Sequence, residues 1–106
     1  MGYEIARQAA ARRNFQVTLI SGPTALKPPA GVRLVSIVTV DELEKAVMKE
    51  VKTADVLIMT AAVNDYVPVR VIKKKLRRNK NSLTLKLRRT NDIVARIARS
   101  PKRPIV

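Results

Sequence analysis

A three-layer α/β sandwich around a mostly parallel sheet is the fold class predicted by this sequence of 106 residues. Two observations carry it. Strand-like segments at Phe15–Ile20, Arg33–Val38 and Val56–Thr60 alternate with helical patterns at Met1–Arg13 and Val40–Lys52. Such alternation implies right-handed parallel crossovers. The third segment, Val56-Leu57-Ile58-Met59, is apolar without alternation, as a strand covered on both faces reads. It runs directly into small residues and then into Asn64-Asp65. Open sheets of this Rossmann-like layout bind ligands beyond the carboxyl ends of their strands.

Each element has its own signals. Met1–Arg13 places Ile5, Ala9 and Ala10 on one side and ends in Arg12 and Arg13, where the helix dipole favours cations. Ser21–Gly31 holds three prolines and two glycines and reads as a loop that could drape across a site. Thr39 is placed to cap Val40–Lys52, with Glu42 as its capping-box partner. Leu43, Val47 and Val51 make that helix's buried stripe. After Pro68 the texture changes: Val69–Lys73 and Ser82–Arg88 alternate apolar with polar, predicting half-exposed strands joined through Arg77–Asn81. Asn91 or Thr90 is expected to cap a short helix reaching about Ser100, stopped by Pro101 and Pro104, and Ile105-Val106 begins a further strand.

Composition excludes several function classes. With 46% hydrophobic residues the chain fits one small folded domain. No cysteine occurs, which excludes disulfides and thiol catalysis, and without histidine as well no zinc site is expected; a reducing cytoplasm is the expected setting. No apolar stretch nears the roughly twenty residues that span a bilayer, so no membrane partner is expected. Neither a Walker A sequence nor Gly-x-Gly-x-x-Gly is present. Charge is uneven: residues 1–69 carry eight Lys/Arg against seven Asp/Glu, while residues 70–106 carry fourteen against one. That second half should attract polyanions, whether nucleotides, phosphorylated metabolites or nucleic acid.

Thr60, Ala61 and Ala62 are small enough for a ligand to approach the backbone closely. Asp65 fits two roles, capping a turn or fixing a ribose hydroxyl or base amine. The wording of the segment is more specific. Ala61-Ala62-Val63-Asn64-Asp65-Tyr66-Val67-Pro68 resembles the Ala-Ala-Val-x-Asp-Tyr-x-Pro signature of the phosphopantothenoylcysteine synthetase domain, the ligase half of the bifunctional coenzyme A biosynthesis flavoproteins. Phe15–Pro23 is similar to that family's second strand and Ser-Gly-Pro turn, and Pro29–Val32 to its next turn. Leu83–Leu87 and Asn91–Val94 resemble its Leu-Thr-Leu strand and Asn-Pro-Asp-Ile helix start. The matches run in order along nearly the whole chain.

The resemblance implies a CTP-dependent ligase of coenzyme A biosynthesis. It would activate 4'-phosphopantothenate as an acyl-cytidylate, with Mg2+ accompanying the nucleotide, and join it to cysteine. In the resembled domain a strand and glycine loop precede this first helix and a strand follows this last segment. The chain is therefore expected to be a partial ligase domain, weakly active or inactive alone, with residues 1–69 as the core, 70–89 as a basic strand-pair flap and 90–106 as a short helix and the start of a strand. Flavin belongs to the other domain of such proteins. The resemblance implies Lys75 and Asp65 as catalytic residues. It puts Met59, Thr60, Ala61, Asp65, Lys75, Asn91, Asp92, Ile93 and Val94 at the nucleotide and Ala62 and Asn64 at the substrate, with no protein-bound metal, and it implies a homodimer.

Departures from the family pattern are local. Arg77 and Arg78 stand where its Lys-x-Lys-Lys motif has lysines, Thr90 and Asn91 where it has Asn-Pro, and Val67 where an arginine is common. Lys75 reads equally as one member of a solvated basic face, and Asn91 and Asp92 as simple caps worth about 1 kcal/mol. The alternative function is a basic nucleic-acid-binding module. Against it, Tyr3, Phe15 and Tyr66 are the aromatic residues, and none lies in the basic half to stack on bases.

Overall fold

The computed structural model describes residues 1–78 and 81–106. In chain order the elements are α1 (Gly2–Ala10), β1 (Val17–Ser21), β2 (Val32–Ser36), α2 (Val40–Glu50), β3 (Tyr66–Pro68), β4 (Leu87–Arg89) and α3 (Ile93–Ala98). β1 and β2 pair in parallel, Val17 opposite Val32 through Ser21 opposite Ser36. β3 and β4 pair antiparallel, Tyr66 opposite Arg89. The connection into β2 turns at Gly31, whose φ of 76° lies in the left-handed region open to glycine.

The layers follow from β1. Ser21 accepts a hydrogen bond from the Tyr3 hydroxyl of α1 (3.1 Å). Its neighbour Ile20 packs on the cluster formed by Leu43 and Val47 of α2 and Ile93 and Ile97 of α3. Successive strand side chains point to opposite faces, so α1 covers one face of the sheet and α2 with α3 the other. The predicted α/β class with parallel strands is the observed one.

α2 forms where its signals are strongest. Glu42 N–H donates to the Thr39 hydroxyl (3.2 Å), while the Glu42 carboxylate accepts from the N–H groups of Val38 (2.6 Å) and Thr39 (3.2 Å). Thr39→Ala is expected to cost about 1 kcal/mol, read as a lower denaturation midpoint. Those two N–H groups hold the Glu42 carboxyl below its ordinary range, that of Val38 contributing most. Hydrogen bonding by Asn91 and then Arg96 lowers Glu44 as well. A depressed folded-state value stabilises above the unfolded carboxyl's titration and is lost as pH falls through the folded one. Thermal stability should therefore hold at neutral pH and decline below about pH 4; a midpoint that stays level into acid would contradict both assignments.

Three expectations need correction. Val56–Thr60 is not a full strand: it makes a single parallel bridge, Val56 with Ile105, in which Leu57 N–H donates to Ile105 O (2.7 Å) and Ile105 N–H to Asp55 O (2.9 Å). A ladder needs a continuing partner, and among the described residues none lies along 57–60. Ile105 does pair, as expected of a strand start. Second, the basic flap is paired only at its base. Beyond β3 and β4 there is one further rung, Val69 N–H to Lys86 O (3.0 Å), and the predicted strands at Val69–Lys73 and Ser82–Arg88 otherwise do not form. Their cations repel and their apolar residues are exposed, Val71 to 85%. The central residues of the expected Arg77–Asn81 connection, 79 and 80, lie outside the described residues. Third, α3 is capped by Asp92, which accepts from Ala95 N–H (2.9 Å), not by Asn91 or Thr90.

Candidate functional site

The crevice lies where the apolar segment ends. Met59, Ala61, Val63 and Asp65 form one side, and Arg89, Thr90, Asn91, Asp92, Ile93 and Val94 the other, around a cavity of about 230 Å³. Met59 and Val63 rest on the α2–α3 core, so the first wall is fixed from beneath. The segment beyond Val63 turns outward because Asn64 and Asp65 are exposed and polar.

Two backbone carbonyls bind the walls together. Thr90 N–H donates to Asp65 O (2.7 Å) and the Thr90 hydroxyl to Asn64 O (2.6 Å). From outside, α2 holds the second wall. Asn91 Nδ2 donates to both oxygens of Glu44 (3.0 and 3.2 Å), Arg96 pairs with the same carboxylate, and Arg88 reaches Asp41 (3.3 Å). The Asp65 backbone carbonyl is thus committed to the turn, and the residue lines the cavity. The Asp92 carboxylate is committed to Ala95. Asp65 and Arg89 both line the cavity beside a short polar turn, and neither forms an ion pair among the described residues, which suits hydrogen bonding to a ligand with both donors and anionic oxygens.

Of the residues predicted for the site, Met59, Ala61, Asp65, Asn91, Asp92, Ile93 and Val94 are brought together here. Thr60, Ala62, Asn64 and Lys75 are not among the lining residues. Thr60 turns toward α1: a Cβ built on Gly2 would meet its Oγ1 at 2.9 Å, so a larger residue there would displace the Thr60 hydroxyl. Asn64 contributes its carbonyl to the turn, and Ala62 is exposed. Lys75 sits exposed on the basic excursion between β3 and β4. Reasoning from sequence missed Val63, Arg89 and Thr90 as lining residues. The β3–β4 register places Arg89 opposite Tyr66 and hence beside Asp65, and no local pattern announces that long-range pairing.

Among the described residues no group of three or more carboxylates converges as a metal cage, and no described helix is long and apolar enough to cross a membrane.

Comparison with known proteins gives a consistent answer. The family model of the DNA/pantothenate metabolism flavoprotein C-terminal domain matches residues 1–106. The chain is 43% identical over 101 residues to the coenzyme A biosynthesis bifunctional protein CoaBC of Mycobacterium tuberculosis, covering 93% of this chain and 24% of that protein. It is 41% identical over 101 residues to the CoaBC of Escherichia coli, covering 92% and 25%. The crystal structure of the C-terminal domain of a CoaBC protein superposes with a TM-score of 0.75 at 35% identity, over 96% of this chain and 46% of that one. The chain thus spans about a quarter of the length of these curated relatives. From its first residue to its last, it belongs to the DNA/pantothenate metabolism flavoprotein C-terminal domain family.

Proposed function

We propose that this chain supplies the nucleotide-binding part of a phosphopantothenate–cysteine ligase of coenzyme A biosynthesis. The observation that carries the reading is the crevice itself: residues of the Ala-Ala-Val-x-Asp-Tyr element, Asp65 among them, and of the α3 start line one cavity. Its volume of about 230 Å³ is below the 300–1,000 Å³ usual for whole ligands, so it takes one portion of a nucleotide. On this reading Asp65 accepts from the base or ribose, and Arg89 and Lys75 meet phosphate oxygens. The phosphopantothenate carboxylate displaces pyrophosphate from CTP, and the cysteine amine then displaces CMP from the acyl-cytidylate to give the amide. Magnesium is carried by the nucleotide's phosphates, as is usual for that ion. Preorganised cations stabilise the charge that accumulates at phosphorus.

The same reading includes a cytoplasmic homodimer. The exposed apolar residues Val71, Ile72, Leu83 and Leu85 of the flap offer a second copy something to cover. The test is calorimetric titration with CTP and magnesium, with ATP as competitor. CTP-selective binding supports the proposal; equally weak binding of both nucleotides would sink it.

A second reading, phosphate-backbone binding to nucleic acid, is favoured by one observation. Of the cations in residues 70–106, only Arg88 and Arg96 form ion pairs among the described residues. Without aromatic residues in that half, duplex binding would rest on phosphates and weaken steeply with salt. A labelled duplex should then bind at low salt and be released as salt rises toward the physiological range. No binding even at low salt ends this reading.

A further inference from the structure

We propose that Glu44 is a positioning residue for the nucleotide crevice: from α2 it fixes the turn Thr90–Asp92 and the start of α3 with one carboxylate. The inference rests on the nucleotide reading above for its functional consequence, and on geometry alone for the clamp.

The turn has no regular secondary structure, yet it forms half of the cavity wall. Its first residue is tied across the crevice by Thr90 to Asn64 and Asp65. Its last, Asp92, is occupied in capping α3. The middle residue, Asn91, is held by Glu44 through both carboxylate oxygens. Arg96, one helical turn beyond Asp92, pairs with the same carboxylate. Glu44 therefore grips the chain on both sides of the cap, and the bearing of the α3 start toward the crevice depends on it.

Its surroundings suit a structural charge. The Glu44 side chain is 14% exposed, the least exposed carboxylate among the four ion pairs. It stands one turn after Asp41, which reaches Arg88 of β4. The polar edge of α2 thus docks β4, the turn and α3 in sequence. Glu44 does not line the cavity, so it would act on a ligand only through Asn91 and Arg96. Family motifs in the sequence did not single it out.

The experiment compares the unmodified chain with Glu44→Gln, Asn91→Ala and the double variant, by amide exchange and by calorimetric titration with CTP and magnesium. Glu50→Gln serves as control, since it removes an ion pair of similar exposure to Arg33 away from the crevice. Exchange at Thr90 and Ala95, whose N–H groups close the turn, should quicken in Glu44→Gln and Asn91→Ala and not in Glu50→Gln. CTP affinity should fall about tenfold in Glu44→Gln, with the double variant little worse than Glu44→Gln because the Asn91–Glu44 contact is shared by the two substitutions.

Unchanged exchange at Thr90 and Ala95 would overturn the clamp. Quickened exchange with unchanged CTP affinity would overturn its positioning role, as would an equal loss in Glu50→Gln. Failure of the unmodified chain to bind CTP would defeat the nucleotide reading and the positioning role with it, and the exchange result would still decide whether Glu44 holds the turn. Should Glu44→Gln not fold, Arg96→Gln, which loosens the other half of the grip at a residue outside the cavity lining, gives the same decision.

Discussion

Truncation of Ile97 to alanine is expected to lower stability by about 2–5 kcal/mol, a large part of the about 5–15 kcal/mol that a small domain has. The buried core is narrow: Leu43, Val47, Ile93 and Ile97 form its cluster, and Ile97 is 1% exposed. The radius of gyration is 17.4 Å, against about 13 Å for a compact chain of 100 residues, so little apolar surface elsewhere shares the load. α3 has six residues, far fewer than an isolated helix needs in water. It is helical because Ile93 and Ile97, four apart, face Leu43 and Val47. Removing one of that pair loosens α3, and with it the crevice wall from Arg89 to Val94. Urea unfolding followed by circular dichroism should show the lower midpoint, together with weaker CTP binding. Val94→Ala, on the outer side of the same helix and 37% exposed, should cost less than about 1 kcal/mol. Equal midpoints for the two variants would mean that the α2–α3 contact does not hold the domain together.

How much was legible follows from where the forces are local. α2 was readable because its cap, its charge and its apolar stripe lie within one segment; Val51 is the C-cap and still packs against the core with Leu43 and Val47. The parallel β1–β2 pair was readable because apolar runs flanking turn residues leave few topologies. Val56–Thr60 looked like a strand because its burial pattern is that of one, but strand structure is a property of the pair, and its partner supplies one bridge. The flap misled for a related reason: alternation at Val69–Lys73 and Ser82–Arg88 says what a strand would look like, while its length of pairing depends on charge repulsion and on what covers it. At the site, Asp65 was legible as a polar residue closing an apolar run, and Asn91–Val94 through its resemblance to the family's helix start. Glu44 was not, since its role comes from contacts 47 and 52 residues away in sequence.

Asp65→Ala and Lys75→Ala should both weaken nucleotide binding strongly, and their signatures should differ. Asp65 lines the cavity and its carboxylate forms no ion pair among the described residues. Its loss should reduce CTP affinity by about tenfold or more, the worth of a hydrogen bond to a charged group, and should bring CTP and ATP to similar affinity. Lys75 presents a harder choice between two causes. It stands with Lys73, Lys74, Arg77 and Arg78 on a segment without a single carboxylate, and all five are exposed. If Lys75 makes a direct phosphate contact when the flap meets the nucleotide, Lys75→Ala should cost about 1.5–3 kcal/mol, while Lys74→Ala costs little. If the flap acts only as a diffuse positive field, each cation contributes less than about 1 kcal/mol, the two variants match, and salt removes the difference from the unmodified chain. Cytidine, which has no phosphate, separates the sites: its affinity should fall in Asp65→Ala and stay level in Lys75→Ala. A Lys75→Ala chain that binds CTP as well as a Lys74→Ala chain at every salt concentration would remove Lys75 from the site and leave Arg89, already at the crevice wall, as the cation the phosphates meet.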